Sequence, residues 1–91
     1  MGDIRGYKYE KFLEVLREER KSRDLTQHEL ATRLGRLQAY VSKYERGDIE
    51  ISLLDYFDIA HAIGFEPLAL LEMLVVQNTR VDKMFKKNNR K

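Results

Sequence analysis

Apolar residues recur every three or four positions along most of this chain, the period of helices with one buried face. The spacing predicts five helices and no strands, an all-α fold built as a compact five-helix bundle. The first helix spans about residues 9–22, with Phe12, Leu13 and Leu16 on its inner face and Leu25 closing the connection. The second, 27–34, repeats Leu30, Ala31 and Leu34 at helical spacing. Thr26 and Glu29 before it have the T-x-x-E spacing of a capping box, and Gly35 supplies the stop. The third, 38–46, turns Val41 and Tyr44 inward and ends at Gly47. The fourth, 53–63, opens on Ser52 with Asp55 three residues on. It carries Leu53, Tyr56, Phe57, Ile59, Ala60 and Ile63 before Gly64 stops it. Pro67 suits the first turn of a fifth helix, 67–76, since its missing N–H would be unpaired there anyway. Residues 1–8 are expected to form an N-terminal arm and 77–91 a basic tail.

The stretch from Thr26 to Gly47 reads as two short helices joined by a tight turn, with polar side chains leading the second. Opposite Val41 and Tyr44 lie Gln38, Ala39, Ser42, Lys43 and Arg46. A helix-turn-helix with a small polar second helix is a DNA-reading device, in which one helix braces on the backbone while its partner enters the major groove.

Ninety-one residues bound the chain to one domain with one core. There is no cysteine, so disulfides and thiolate–zinc sites are excluded. The opening MGDIRGYKYEK mixes charges and has no apolar centre, so no signal peptide is expected there. No apolar run approaches the roughly 18 residues of a membrane span. A cytoplasmic protein is expected. The net charge of +2 hides a segregation. Leu25 to Gly47 holds four basic and two acidic residues, whereas Asp48 to Val76 holds six acidic residues and no Lys or Arg. Gln77 to Lys91 returns to six basic and one acidic. This describes a basic reading unit, an acidic back and a basic tail, and the distribution is a better guide to a polyanion partner than the sum.

The fifth helix is apolar nearly all round, more than closing a small bundle requires. Self-association through Leu70, Met73, Leu74 and Val76 is therefore expected, because a two-fold pair is the commonest oligomer and places two reading helices side by side.

The blocks LREERKSRDLTQHELA, LGRLQAYVSKYERG and SLLDYFDIAHAIG, followed by a Pro-containing last helix, resemble the lambda-repressor-like helix-turn-helix family, the Xre or Cro type of regulator. The resemblance covers about Leu16 to Leu71. It implies that Gln38, Ala39 and Ser42 face bases, with Tyr40 counted among them and its ring turned either to the groove or along the backbone, and that Gln27, Lys43 and Arg46 meet phosphates or the groove rim. It also implies that Arg20 and Glu45 form an ion pair locking the reading helix. Arg36 joins the candidate phosphate contacts as an exposed cation. Two departures stand out: Leu37 occupies a position where the family usually caps with Ser or Thr, and Tyr44 replaces a common aliphatic, so its hydroxyl needs an outlet.

Gln38 suits adenine, because its amide donates to N7 and accepts from N6–H in one plane, a contact worth about 1–3 kcal/mol of discrimination. Ala39 offers a methyl to a thymine methyl, and Ser42 is short enough for close approach. The residues imply a sequence-specific regulator of double-stranded DNA, a dimeric repressor or autoregulator. The alternative is an antitoxin-type or adaptor protein whose fifth helix holds a protein partner such as a toxin. An enzyme has little support: Asp58 and His61 could offer two metal ligands on one helix face, but no third is proposed, and no phosphate-cradling glycine loop is present. No metal, cofactor or catalytic residue is expected.

Overall fold

A computed structural model describes residues 4–76 and places five helices there: α1 (Ile4–Ser22), α2 (Gln27–Leu34), α3 (Gln38–Arg46), α4 (Leu53–Ile63) and α5 (Pro67–Val76). The basic tail, with Lys83, Lys86, Lys87, Arg90 and Lys91, lies outside the described residues.

Local chemistry sets most of the helix ends. The Thr26 hydroxyl accepts from the Glu29 amide at 3.0 Å, while the Glu29 carboxylate accepts from the Thr26 amide at 2.8 Å. That reciprocal pair satisfies two donors the helix cannot use and holds the Glu29 carboxyl below its ordinary value, chiefly through the backbone hydrogen bond from Thr26. Ser52 and Asp55 repeat the arrangement at α4, with bonds of 3.0 and 3.1 Å. Gly35 and Gly47 take φ +69° and +83°, a left-handed conformation that lets the chain reverse. The following amides of Arg36 and Asp48 then reach back to the Ala31 and Lys43 carbonyls at 2.9 and 2.8 Å. α1 ends differently. Asp24 stands at φ +55°, so an aspartate does there what glycine does after α2 and α3.

One boundary departs from expectation. α1 begins at Ile4 and runs straight through Gly6, so most of the expected arm is helical. Once a helix is nucleated on its packed portion, each added residue contributes one hydrogen bond, which offsets a glycine that costs about 1 kcal/mol. α3 begins at Gln38 although Leu37, at its N-cap, supplies no side-chain bond.

The core joins Leu13 and Leu16 of α1, Leu25 of the α1–α2 connection, Leu30 and Ala31 of α2, Val41 and Tyr44 of α3, Tyr56, Ile59 and Ile63 of α4, and Leu70 of α5. α2 packs on α3 and α4, α1 on α3, and α5 on α4. Two arginines close the α4 C-terminus. Arg33 donates to the Ala62 carbonyl at 2.8 Å and Arg23 to the Gly64 carbonyl at 3.4 Å, satisfying acceptors left over by the helix and complementing its dipole. The Tyr56 hydroxyl donates to the Pro67 carbonyl at 2.6 Å, tying α4 to the start of α5, and burial pushes its ionisation up to about 12.

Leu70 requires a correction. It was expected on a face between subunits, but it is buried in the core of its own chain. α5 meets α4 along the stripe containing Leu70, and Leu74 packs half-buried beside it. Met73 is exposed, together with Leu68 and Val75. The Val76 side chain lies outside the described residues.

Candidate nucleic-acid interface

Along α3 the inner side is Val41, Tyr44 and Glu45, all buried. The opposite side presents Gln38, Ala39, Lys43 and Arg46 to solvent, with Ser42 half-buried at its edge. α3 thus protrudes, held from beneath by α1 and α2.

What holds it is polar. Arg20 and Glu45 are only 7% and 5% exposed. The guanidinium meets the carboxylate in bidentate fashion, Nε to Oε2 at 2.7 Å and Nη2 to Oε1 at 3.1 Å, and Nη1 donates to the Leu25 carbonyl at 2.8 Å. The pair is the one the resemblance implies, and on the surface it would be worth about 0–1 kcal/mol. Its burial changes the arithmetic: breaking a buried pair from one side costs about 3–5 kcal/mol, because the surviving charge stays desolvated.

Gln27 joins this pair. Its Nε2 donates to Glu45 Oε1 at 2.9 Å. A carboxylate only accepts, so the Gln27 amide has one permitted orientation and must turn its Oε1 away from Glu45. Gln38 Nε2 lies 3.5 Å from that Oε1, a long contact that still favours one orientation of the second amide. A chain of four side chains, Arg20, Glu45, Gln27 and Gln38, therefore runs from the core to the exposed start of α3. The residues in it were legible one by one. The Gln27–Glu45 bond was not, since no pattern along the sequence joins positions in different helices.

The candidate cations are placed unequally. Lys43 is exposed and forms no ion pair among the described residues. Arg46 is drawn onto Asp48, at 2.9 Å through Nε and 2.8 Å through Nη2, and also donates to the Ser42 hydroxyl. Arg36 lies over the Tyr40 ring, 4.2 Å from its centroid, with Nη2 3.8 Å from Asp55.

Tyr40 is a second correction. It was expected among the base-facing residues, yet its ring is half-buried against the core, edge-on to Tyr44 at 5.6 Å. It stands on the flank of α3 turned toward α4. Burial first, then the Asp55 charge, raises its hydroxyl's ionisation. Tyr44 is 1% exposed and its hydroxyl has no hydrogen-bond partner among the described residues. Burial, and next the Glu45 carboxylate, push its ionisation far above the ordinary tyrosine value.

Asp58 and His61 share an open groove with Arg33, Leu34 and Ala62, and among the described residues no third carboxylate or imidazole joins them to hold a metal.

The helix-turn-helix family profile matches residues 16–71, which takes in α2, the turn, α3, α4 and the packed parts of α1 and α5. The chain belongs to the Xre-type, lambda-repressor-like helix-turn-helix family. An Xre-family-like protein from Pseudomonas syringae pv. tomato DC3000 superposes with a TM-score of 0.81 at 37% identity, covering 82% of this chain and 92% of that one. An uncharacterised helix-turn-helix-type transcriptional regulator of Sinorhizobium fredii, y4dL, is 37% identical over 61 residues. That stretch is 67% of this chain but 31% of the relative, so this chain spans about a third of that protein's length. No described helix is long and apolar enough to cross a membrane.

Proposed function

We propose that this chain is a sequence-specific regulator of transcription that binds double-stranded DNA as a dimer, each subunit setting α3 into a major groove. The observation that carries the reading is the exposed Gln38 amide at the start of α3. Its Nε2 lies 3.5 Å from Gln27 Oε1, a long contact that favours the orientation in which Oε1 and the amide's second hydrogen stay open to a base. A donor and an acceptor in one plane are what the N7 and N6–H edge of adenine requires. Ala39, Ser42 and Lys43 follow on the same exposed side: a methyl for a thymine, a hydroxyl for a base or phosphate, and a charge for the backbone. Gln27, Arg36 and Arg46 are the further candidates for phosphate contact, with Arg36 and Arg46 first leaving their own carboxylates.

The dimer rests on the exposed Leu68, Met73 and Val75 of α5, a helix that covers the core with its other side. Two-fold pairing would centre the half-sites about one helical turn apart, roughly 34 Å. Its action is read as that of a repressor or autoregulator. The same α5 side chains favour a second reading, an antitoxin-type or adaptor protein in which they hold a protein partner. Sedimentation separates the two: a saturated homodimer leaves no such surface free.

Site selection from random duplexes at a fixed salt concentration tests the function. A consensus with two related half-sites is expected, and Gln38→Ala is expected to relax preference at one base pair in each. Lys43→Ala is expected to weaken all duplexes alike and to lower the salt slope by about one. Selection that yields no consensus overturns the proposal.

A further inference from the structure

We infer that Leu37 is a specificity-determining residue that reads the C5-methyl group of a pyrimidine next to the base pair addressed by Gln38. The inference rests on the DNA-binding reading above. Leu37 is 81% exposed, the most exposed large apolar side chain among the described residues. It is also the N-cap of α3, in extended conformation at φ −76° and ψ 153°, and makes no side-chain bond to the helix. Both facts are unfavourable in the isolated domain. A leucine at this position leaves α3 without the hydroxyl cap that α2 and α4 have in Thr26 and Ser52, and it places a branched alkyl group in water.

Its neighbours keep Leu37 in place. Arg36 before it is held over Tyr40 and near Asp55, and Gln38 after it is directed by Gln27. The Leu37 carbonyl accepts from the Tyr40 amide at 3.0 Å. The side chain is therefore presented from a backbone anchored on both sides, so little motion is lost when it is covered. It leads the end of the helix that enters the groove first, beside a residue suited to adenine. In the major groove the apolar feature within reach is the C5-methyl group of thymine, or of 5-methylcytosine. An isobutyl group meets such a methyl favourably and offers nothing to the N4 amino group that marks an unmethylated cytosine.

The test starts from the duplex selected by the wild-type chain. Each thymine in a half-site is replaced singly by deoxyuridine, which removes only the methyl, and binding is followed by fluorescence anisotropy at constant salt. One replacement is expected to weaken the wild-type chain about threefold to tenfold, the scale of one buried methyl group. That position is expected to differ from the one relaxed by Gln38→Ala. With Leu37→Ser the same replacement is expected to have no effect, while the variant melts higher because serine caps α3. Placing 5-methylcytosine, against cytosine, at that position separates the two sources of the methyl: recovery with the modified base in the wild-type chain alone supports reading of the group itself. If every deoxyuridine duplex binds the wild type and Leu37→Ser in the same ratio as its thymine parent, the inference is overturned and the DNA reading stands. If no consensus can be selected, both fall.

Discussion

Replacing Tyr44 with phenylalanine should stabilise this protein, although it deletes a polar atom from the interior of a reading helix. The Tyr44 hydroxyl is fully buried and has no partner among the surrounding donors and acceptors. Leaving such a group unsatisfied costs about 1–3 kcal/mol, because its hydrogen bonds to water are lost and nothing replaces them. Phenylalanine keeps the ring and its edge contact with Tyr40 at 5.6 Å, and gives up only the dispersion contacts of one oxygen, about 0.5 kcal/mol in sum. The expected gain is therefore about 0.5–2.5 kcal/mol, or roughly 2–20 °C in Tm for a domain of this size. Urea unfolding followed by circular dichroism at pH 7 measures it directly. Alkaline pH supplies an independent reading of the same burial. The folded-state ionisation of Tyr44 lies well above the unfolded value near 10, so its neutral form contributes fully below pH 10. That contribution is lost as the pH rises above 10, at up to about 1.4 kcal/mol per unit, because only the unfolded chain releases the proton. Tyr44→Phe should flatten this decline, with the parts due to Tyr40 and Tyr56 remaining. A variant less stable than wild type at pH 7 would show that the hydroxyl has a bonded partner, and the reasoning would fail.

The Arg20–Glu45 pair gives a result of opposite sign: Glu45→Ala should cost about 3–5 kcal/mol in urea unfolding, since Arg20 stays buried beside the Leu25 carbonyl alone. Replacing both with apolar residues of similar volume, Arg20→Met with Glu45→Leu, should recover most of that loss, and a double variant as unstable as the single one would contradict the account. At the end of α1, Asp24→Gly should raise stability by about 0.5–1 kcal/mol, because glycine reaches φ +55° without a Cβ clash. A fall in Tm would show that the aspartate side chain contributes more there than its backbone strain costs.

The parts of this fold that were legible in sequence are those fixed within a few residues. Thr26 with Glu29, Ser52 with Asp55, and the glycines at 35, 47 and 64 set the ends of α2, α3 and α4 by interactions spanning one turn, and those ends fall where the spacing placed them. The start of α1 has no such local signal, and Gly6 pointed the other way. Asp24 escaped notice because aspartate in the left-handed region is uncommon and a Gly was the expected sign. Burial depends on what lies across the gap between helices. Tyr40, Leu70 and the Arg20–Glu45 pair were therefore misjudged in exposure although each was placed on the right helix. The caps of α4 by Arg23 and Arg33 belong to the same class: both are exposed cations in sequence, and only the fold brings them to the Ala62 and Gly64 carbonyls.

Two buried polar features lie beneath α3, and they differ in what they can achieve. The Tyr44 hydroxyl faces no partner, so it adds cost without fixing any geometry. The Arg20–Glu45–Gln27 group is fully bonded, and a matched pair of this kind is close to neutral against an apolar replacement of equal volume. Its contribution is therefore one of orientation: an apolar core beneath α3 would hold the helix equally well but would leave the Gln27 amide free to turn over. Were Gln27 to rotate by half a turn, its Nε2 would face Gln38 Nε2, and the donor–acceptor order at the exposed end of α3 would no longer be specified. The Arg20→Met with Glu45→Leu variant isolates that effect, since it should keep the fold while losing preference at the base pair assigned to Gln38. Retention of that preference in a folded double variant would mean that the amide is oriented by contacts on its outer side, and that the buried group serves packing alone.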